Sequence, residues 1–292
     1  MVPGGTPLTY ATEMVATARK DASKTPRSPF ASDGRSVTVA LDHPLALGQA
    51  AGLEDPRGVL TAISAAGADA AILTPGTAAM LATLDVALPW LLTADYYATS
   101  TDPGAKGEDE MHGMLWSGEH AARLGASGVK CLWVHGQRDA EQHVGALRAL
   151  ARLIESAHRH DLPVMVESVL WGARLAADDA DSYRVANAAR MAFELGADII
   201  KVAMPHDITP LAKVASAIDV PIVAMGGAAR DPEGLFTSIH TALDGGLRGV
   251  ALGRNVWSAP DVASMVRALR ALVHDDATVA ESLAILRDGS PA

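Results

Sequence analysis

Short apolar or β-branched runs recur along the chain at 37–41, 70–74, 89–93, 129–134, 164–168, 199–203, 222–225 and 250–253. Each is nearly continuous in its apolar character rather than alternating, the pattern of a strand covered on both faces. The stretches between them are rich in alanine and carry helical spacing. Over 140–158, for example, Leu147, Leu150, Leu153 and Ile154 fall on one side. Eight such runs alternating with helices predict βαβ units and a parallel sheet, closed as a single α/β domain, a (β/α)8 TIM barrel. Ahead of the first run, an amphipathic stretch over 9–20 and a polar segment with two prolines predict an N-terminal helical extension over 1–36, leaving 37–292 for the barrel. After the third run, 94–111 is long, polar and rich in Gly, Asp and Thr. It is expected to be a loop lying over an active site.

A recurring glycine adds phase. Gly67, Gly125, Gly196 and the Gly245-Gly246 pair each close a helical run ahead of the second, fourth, sixth and eighth predicted strands, as helix C-caps do. Five residues beyond Gly67, Gly125, Gly196 and Gly246 stand Ile72, Lys130, Lys201 and Ala251. Alternate strands of such a barrel contribute the side chains of one interior layer, so both lysines are expected to point inward at one height.

Two inward lysines are costly unless paired or used, because a buried ammonium loses its hydration. Burial with a like charge nearby favours the free amine, a nucleophile toward a ketone or aldehyde. Lys201 lies in Asp198-Ile-Ile-Lys-Val-Ala-Met-Pro, a strand too apolar for a solvated lysine, and is the candidate nucleophile. Lys130 is read as a neighbour that favours the free amine, a ligand for a phosphate or hydroxyl, or the partner of a carboxylate. Asp42 and Glu167 end the first and fifth predicted strands, where barrel enzymes carry their chemistry. Such carboxylates can move the protons of imine formation and carbon–carbon cleavage.

Met225-Gly226-Gly227-Ala228-Ala229 and Gly253-Arg254-Asn255 follow the seventh and eighth runs. Loops there commonly hold a phosphate on backbone N–H groups, which makes Gly226, Gly227, Gly253 and Arg254 candidate anion ligands. His43, His135 and His206 also lie just past strand ends, so a metal-dependent aldolase or isomerase is a rival reading. A non-catalytic barrel that binds sugar phosphates is another. No metal is assigned, because no single element near those ends carries two histidines at ligand spacing. His158-Arg-His160 has that form but falls before the fifth strand, on the opposite face.

Bulk properties narrow the partners. A 49% hydrophobic content supplies a large core, and the 4% aromatic share suits helices packed tightly on a sheet. The net charge of −10 disfavours nucleic acid and anionic membranes, so an anionic substrate needs a local site. Cys131 is the single cysteine, which excludes an internal disulfide and a Cys-rich metal site. No apolar run of about 18 residues and no basic-then-apolar leader occur, so a cytoplasmic protein is expected.

From roughly Val37 onward the chain resembles the class I aldolase superfamily of deoxyribose-phosphate, archaeal-type fructose-bisphosphate and tagatose-bisphosphate aldolases. The resemblance implies a Schiff-base lysine on strand six, matching Lys201. It also implies a first strand ending in Asp then His or Gln, matching Asp42-His43 and bringing His43 to the substrate. Lys130 and Glu167 resemble the tagatose-bisphosphate and sulfo-sugar branch, and the two glycine loops match the family's phosphate- or sulfonate-binding positions. Two features depart from the pattern. Strand five carries Glu167 where the archaeal fructose-bisphosphate type has a tyrosine, and Pro44 stands where Gly is common. The chain is also similar to actinobacterial barrels that accompany inositol catabolism. Together these imply a lyase without cofactor or metal, a homo-oligomer that cleaves a phosphorylated ketose or keto sugar acid.

Overall fold

The structure is a computed structural model that describes residues 28–102, 105–175 and 181–289. The helix expected over 9–20 lies outside them. Ten strands occur among the described residues: β1 (Ser36–Ala40), β2 (Ala70–Leu73), β3 (Trp90–Thr93), β4 (Asp95–Ala98), β5 (Met111–Met114), β6 (Gly128–Val134), β7 (Val164–Val169), β8 (Ile199–Ala203), β9 (Ile222–Met225) and β10 (Gly249–Leu252). Eight of them close a parallel barrel in the order β1-β2-β3-β6-β7-β8-β9-β10 and back to β1. These are the eight predicted runs, displaced by a residue or two at most. The chain is a single (β/α)8 TIM barrel. Among the described residues no helix is long and apolar enough to cross a membrane.

The continuous apolar runs follow from two separate cores served by alternate residues. Ala71 and Leu73 of β2, Ile200 and Val202 of β8, and Val250 and Leu252 of β10 face the helices. Ala70 and Ile72, Ile199, and Ala251 from the same strands fill the barrel interior with Ala40, Leu91, Met165 and Val223. The glycine phase holds, since Gly67, Gly125, Gly196 and Gly246 all take positive φ, between 69° and 91°. Only glycine adopts that backbone at little cost, so each helix ends at a set distance from the inward residue five positions on.

Phe30, ahead of β1, packs against the interior cluster from the N-terminal end of the barrel, and Ser36 Oγ donates to Pro29 O at 2.7 Å. A histidine clamps the same end. His274 closes the helix Val262–His274, with Nδ1 2.7 Å from Asp33 Oδ2 and Nε2 2.9 Å from Asp69 Oδ2. Asp69 Oδ2 also accepts from Val37 N at 2.7 Å. Both ring nitrogens face carboxylates, which the imidazolium satisfies. Asp69 first, then Asp33, raise the His274 pKa against the opposing effect of burial. Its stabilisation is therefore complete below the ordinary histidine value of about 6.5 and is lost as pH rises through the raised value. His274→Gln should cost about 1–3 kcal/mol at pH near 6 and flatten the dependence of thermal stability on pH above it. Unfolding scans of both proteins across that range check this.

The 94–111 segment is not the open loop expected. Asp95–Ala98 pairs antiparallel with Met111–Met114, Asp95 opposite Met114 and Ala98 opposite Met111, so both ends of the segment are held in a hairpin. The β-propensity of Tyr96-Tyr97 was hidden by the Gly- and Asp-rich composition around it. Buried tertiary contacts fix the hairpin. Asp95 Oδ2 accepts from Leu132 N at 2.9 Å and lies 2.8 Å from His112 Nε2, the two side chains 0% and 4% exposed. Farther out, Glu110 takes Arg138 N (2.6 Å) on one carboxylate oxygen and Ala173 N (2.7 Å) on the other. The hairpin is thereby stapled to the loops after β6 and β7.

Candidate active site

Moving two residues up each strand from the apolar interior gives the next inward position. From Ala40, Leu91, Gly128, Met165 and Ile199 the step reaches Asp42, Thr93, Lys130, Glu167 and Lys201. The apolar tier thus gives way to a charged one just below the C-terminal mouth. The strand register sets Lys201 beside Glu167 and Lys130 beside Thr93. Lys201 Nζ lies 2.8 Å from Glu167 Oε1, and Lys130 Nζ lies 3.0 Å from Glu167 Oε2 and 3.2 Å from Asp42 Oδ2. One carboxylate bridges two ammonium groups. Lys130, Glu167 and Lys201 are each 3–6% exposed.

At this depth a lone charge would be neutralised, and pairing decides the outcome. Burial pushes the Lys130 pKa down, but Glu167, then Asp42 and Asp95, overcome it and hold the value well above the ordinary lysine range. Burial would raise Asp42, yet the Lys130 ammonium and, more weakly, His43 and Lys201 keep it well below the carboxylate range. Glu167 is lowered against its own burial by Lys130 and then Lys201. Lys130 is thus a fixed cation. Of the three sequence readings for it, carboxylate partner is the one the geometry meets directly. Cys131, its neighbour, is fully buried, and burial raises its thiol pKa well above the usual value.

Asp42 lies beyond the end of β1 and its side chain caps no helix. The short helix Pro44–Leu47 begins after His43 and has no side-chain cap. His43 Nδ1 stands 3.4 Å from Asp42 Oδ1, and the ring meets Trp257 edge-on at 5.6 Å. Gly253, just past the eighth barrel strand, makes room for this histidine, since a Cβ there would fall 2.6 Å from His43 Cε1. Any larger residue would displace the ring. Arg254 follows as the exposed first residue of the short helix Arg254–Trp257.

Gly226 and Gly227 open the loop after β9, and a residue not assigned to the site from the sequence holds that loop. Asn255 is 6% exposed. Its Nδ2 donates to Gly226 O and Ala228 O, both at 3.2 Å, and its Oδ1 accepts from Arg230 N at 3.0 Å. With the carbonyls of the Gly-Gly loop engaged by Asn255, the two candidate anion loops form one unit. Thr93 is the second omission. It ends β3 with its hydroxyl 2.7 Å from Asp42 Oδ2. The rule that found Asp42 and Glu167, a polar residue closing an apolar run, applies equally to it.

The histidines do not converge. His135 packs on Trp133 with the rings tilted and 4.4 Å apart, bonds Ser168 Oγ at 2.7 Å, and is lowered to a pKa of about 4 by burial and then His143. His206 is exposed. Among the described residues no group of three or more His, Cys, Asp or Glu side chains could hold a metal ion. His158 lies 2.7 Å from Asp198, which also accepts from the first amide of β7, at the opposite end of the strands.

A parallel eight-stranded barrel with paired lysines buried on a carboxylate near the strand C-termini is the architecture of a lysine-dependent lyase. The chain belongs to the DeoC/LacD family of aldolases, whose model matches residues 36–259. It is a class I aldolase, acting through a Schiff base. It is 30% identical over 268 residues to 2-amino-3,7-dideoxy-D-threo-hept-6-ulosonate synthase of Halobacterium salinarum, covering 90% of this chain and 96% of that one. It is 30% identical over 267 residues to a class 1 fructose-bisphosphate aldolase of the same organism, covering 88% and 97%. An archaeal fructose 1,6-bisphosphate aldolase superposes with a TM-score of 0.73 at 27% identity, covering 91% and 99%. So does an archaeal fructose-1,6-bisphosphate aldolase whose catalytic lysine is covalently bound to the carbinolamine intermediate of its substrate. Here the TM-score is 0.72 at 27% identity, covering 90% and 99%.

Proposed function

We propose that this aldolase forms its imine at Lys201 and cleaves a phosphorylated ketose or keto sugar acid by a retro-aldol reaction. The observation that carries the reading is the 2.8 Å contact between Lys201 Nζ and Glu167 Oε1. Glu167 is within reach to take the ammonium proton, and the free amine then adds to the substrate carbonyl to give a carbinolamine. Protonation of the carbinolamine hydroxyl, with Glu167 returning the proton, releases water and leaves an iminium. Scission of the bond between the α carbon and the hydroxyl-bearing β carbon sends its electron pair into the iminium to form an enamine. The departing carbon's hydroxyl gives its proton to Asp42 and becomes an aldehyde. A proton returned to the enamine carbon, then water, frees the second product and Lys201. Lys130, a cation throughout, steadies the substrate oxygens that gain negative charge.

Backbone N–H groups at Gly226, Gly227 and Gly253, with Arg254, hold the phosphate, and His43 meets the sugar hydroxyls between that anchor and Asp42. The resemblance to barrels of inositol catabolism makes a phosphorylated 2-deoxy-5-keto-gluconate the first substrate to test. The enzyme works in the cytoplasm as a homo-oligomer, without metal or dissociable cofactor, and the residues ahead of Ser36 are an extension to the barrel. Borohydride reduction in the presence of candidate keto sugar phosphates, followed by peptide mass spectrometry, should yield a reduced adduct on the peptide carrying Lys201. No adduct across the panel, or activity abolished by a chelator and restored by a divalent metal, overturns the proposal.

A further inference from the structure

We propose that Thr93 is a positioning residue for the reaction, whose hydroxyl selects the oxygen of Asp42 that meets the substrate. The inference rests on the reading of Asp42 as a proton carrier. Thr93 is 4% exposed, and its Oγ1 donates to Asp42 Oδ2 at 2.7 Å. The direction of donation is set by the ionised carboxylate, which only accepts. Lys130 Nζ reaches the same oxygen at 3.2 Å. Thr93 and Lys130 stand side by side in the register of β3 and β6, so two adjacent strands aim their donors at one acceptor. Asp42 Oδ2 is engaged twice.

Oδ1 is in a different position. Among the described residues its one ion-pair contact is His43 Nδ1, at 3.4 Å. Oδ1 is therefore the oxygen with lone pairs left for a substrate hydroxyl, and rotation of the carboxylate would exchange the roles. A threonine suits the task, because its branched Cβ restricts χ1 and holds the hydroxyl on one bearing. The lysine contact alone is a less directional anchor, since an ammonium turns freely about its stem. The charged groups around Asp42 are Lys130, His43, Lys201 and Glu167, and none of them reproduces the lateral constraint that Thr93 supplies.

The test compares Thr93→Val, Thr93→Ser and Asp42→Asn. Thr93→Val keeps the shape and removes the hydroxyl. It should lower kcat by about 10- to 100-fold with KM changed less than about threefold, a part of the roughly 10²- to 10⁴-fold that a positioned proton carrier supplies. The acid limb of its kcat/KM profile should move to higher pH, because a carboxylate that loses a donor is protonated more easily. Thr93→Ser should recover most of the rate and the original limb. Borohydride trapping at Lys201 should be unchanged in both. If Thr93→Val does not accumulate folded, Thr93→Ala removes the hydroxyl without setting a methyl against the carboxylate, and the same readings apply. Wild-type kcat and pH profile in the hydroxyl-free variant, with Asp42→Asn inactive, overturn the role of Thr93 alone. Full activity in Asp42→Asn overturns the reading of Asp42 as well.

Discussion

Glu167→Gln should damage stability and catalysis together. Glu167 accepts from Lys201 at 2.8 Å and Lys130 at 3.0 Å, all three groups being almost fully buried. Glutamine keeps the volume and loses the charge, leaving two buried ammonium groups and, among the described residues, Asp42 as the one carboxylate still salt-bridged to either. Breaking a buried pair by removing one partner costs about 3–5 kcal/mol, visible as a lower denaturant midpoint with an unchanged slope. Turnover should fall by about 10²- to 10⁴-fold, the worth of a positioned proton carrier. Because Glu167 is held below the ordinary carboxylate range, its contribution to folding is present above that range and lost as pH falls through the lowered value. The stability gap between wild type and variant should therefore close in acid. A variant with an unchanged midpoint at neutral pH would show that the lysines do not depend on this carboxylate.

Lys201→Met should separate the two effects. Methionine replaces an ammonium by a flexible apolar group of similar length, and Glu167 keeps Lys130 as its partner. The unfolding free energy should change by less than about 1.5 kcal/mol. Turnover should drop by about 10⁴-fold or more, as when a covalent nucleophile is removed, and borohydride should leave no adduct at position 201. The phosphate anchor proposed at Gly226, Gly227, Gly253 and Arg254 does not involve Lys201, so inhibition by inorganic phosphate should persist with an inhibition constant within about threefold of wild type. Retained turnover would move the imine to another residue, Lys130 first.

These two variants probe residues legible from the chain itself. Lys201 and Lys130 stand out because a charged residue interrupts an apolar strand, and the glycine five positions earlier fixes which way each points. Asp42 and Glu167 follow from their position at strand ends. The barrel is legible for the same reason, since burial on both faces leaves little choice of residue. The contacts that orient these groups are less visible. The Thr93–Asp42 bond joins residues 51 positions apart and depends on one hydroxyl, and Asn255 reaches back to Gly226 and Ala228 across a whole βα unit. Neither leaves a periodic trace. The hairpin at 95–114 was obscured because its buried pair, Asp95 and His112, are polar residues that read as loop until the tertiary partner is seen.

Phe30 gives the barrel a direction. A parallel barrel has two ends, and here the one at the strand N-termini is covered by a ring from outside the repeat, packed against the inner apolar cluster. Above Phe30 the interior is filled by apolar side chains, so the charged tier opens at the other rim, where Asp42, His43 and the glycine loops stand. A bound sugar phosphate would cork that rim, and the protons of the catalytic cycle would then be passed among Glu167, Asp42 and the substrate instead of being exchanged with bulk water. Hydrogen carried from the substrate should accordingly reappear in product more often than free exchange would allow.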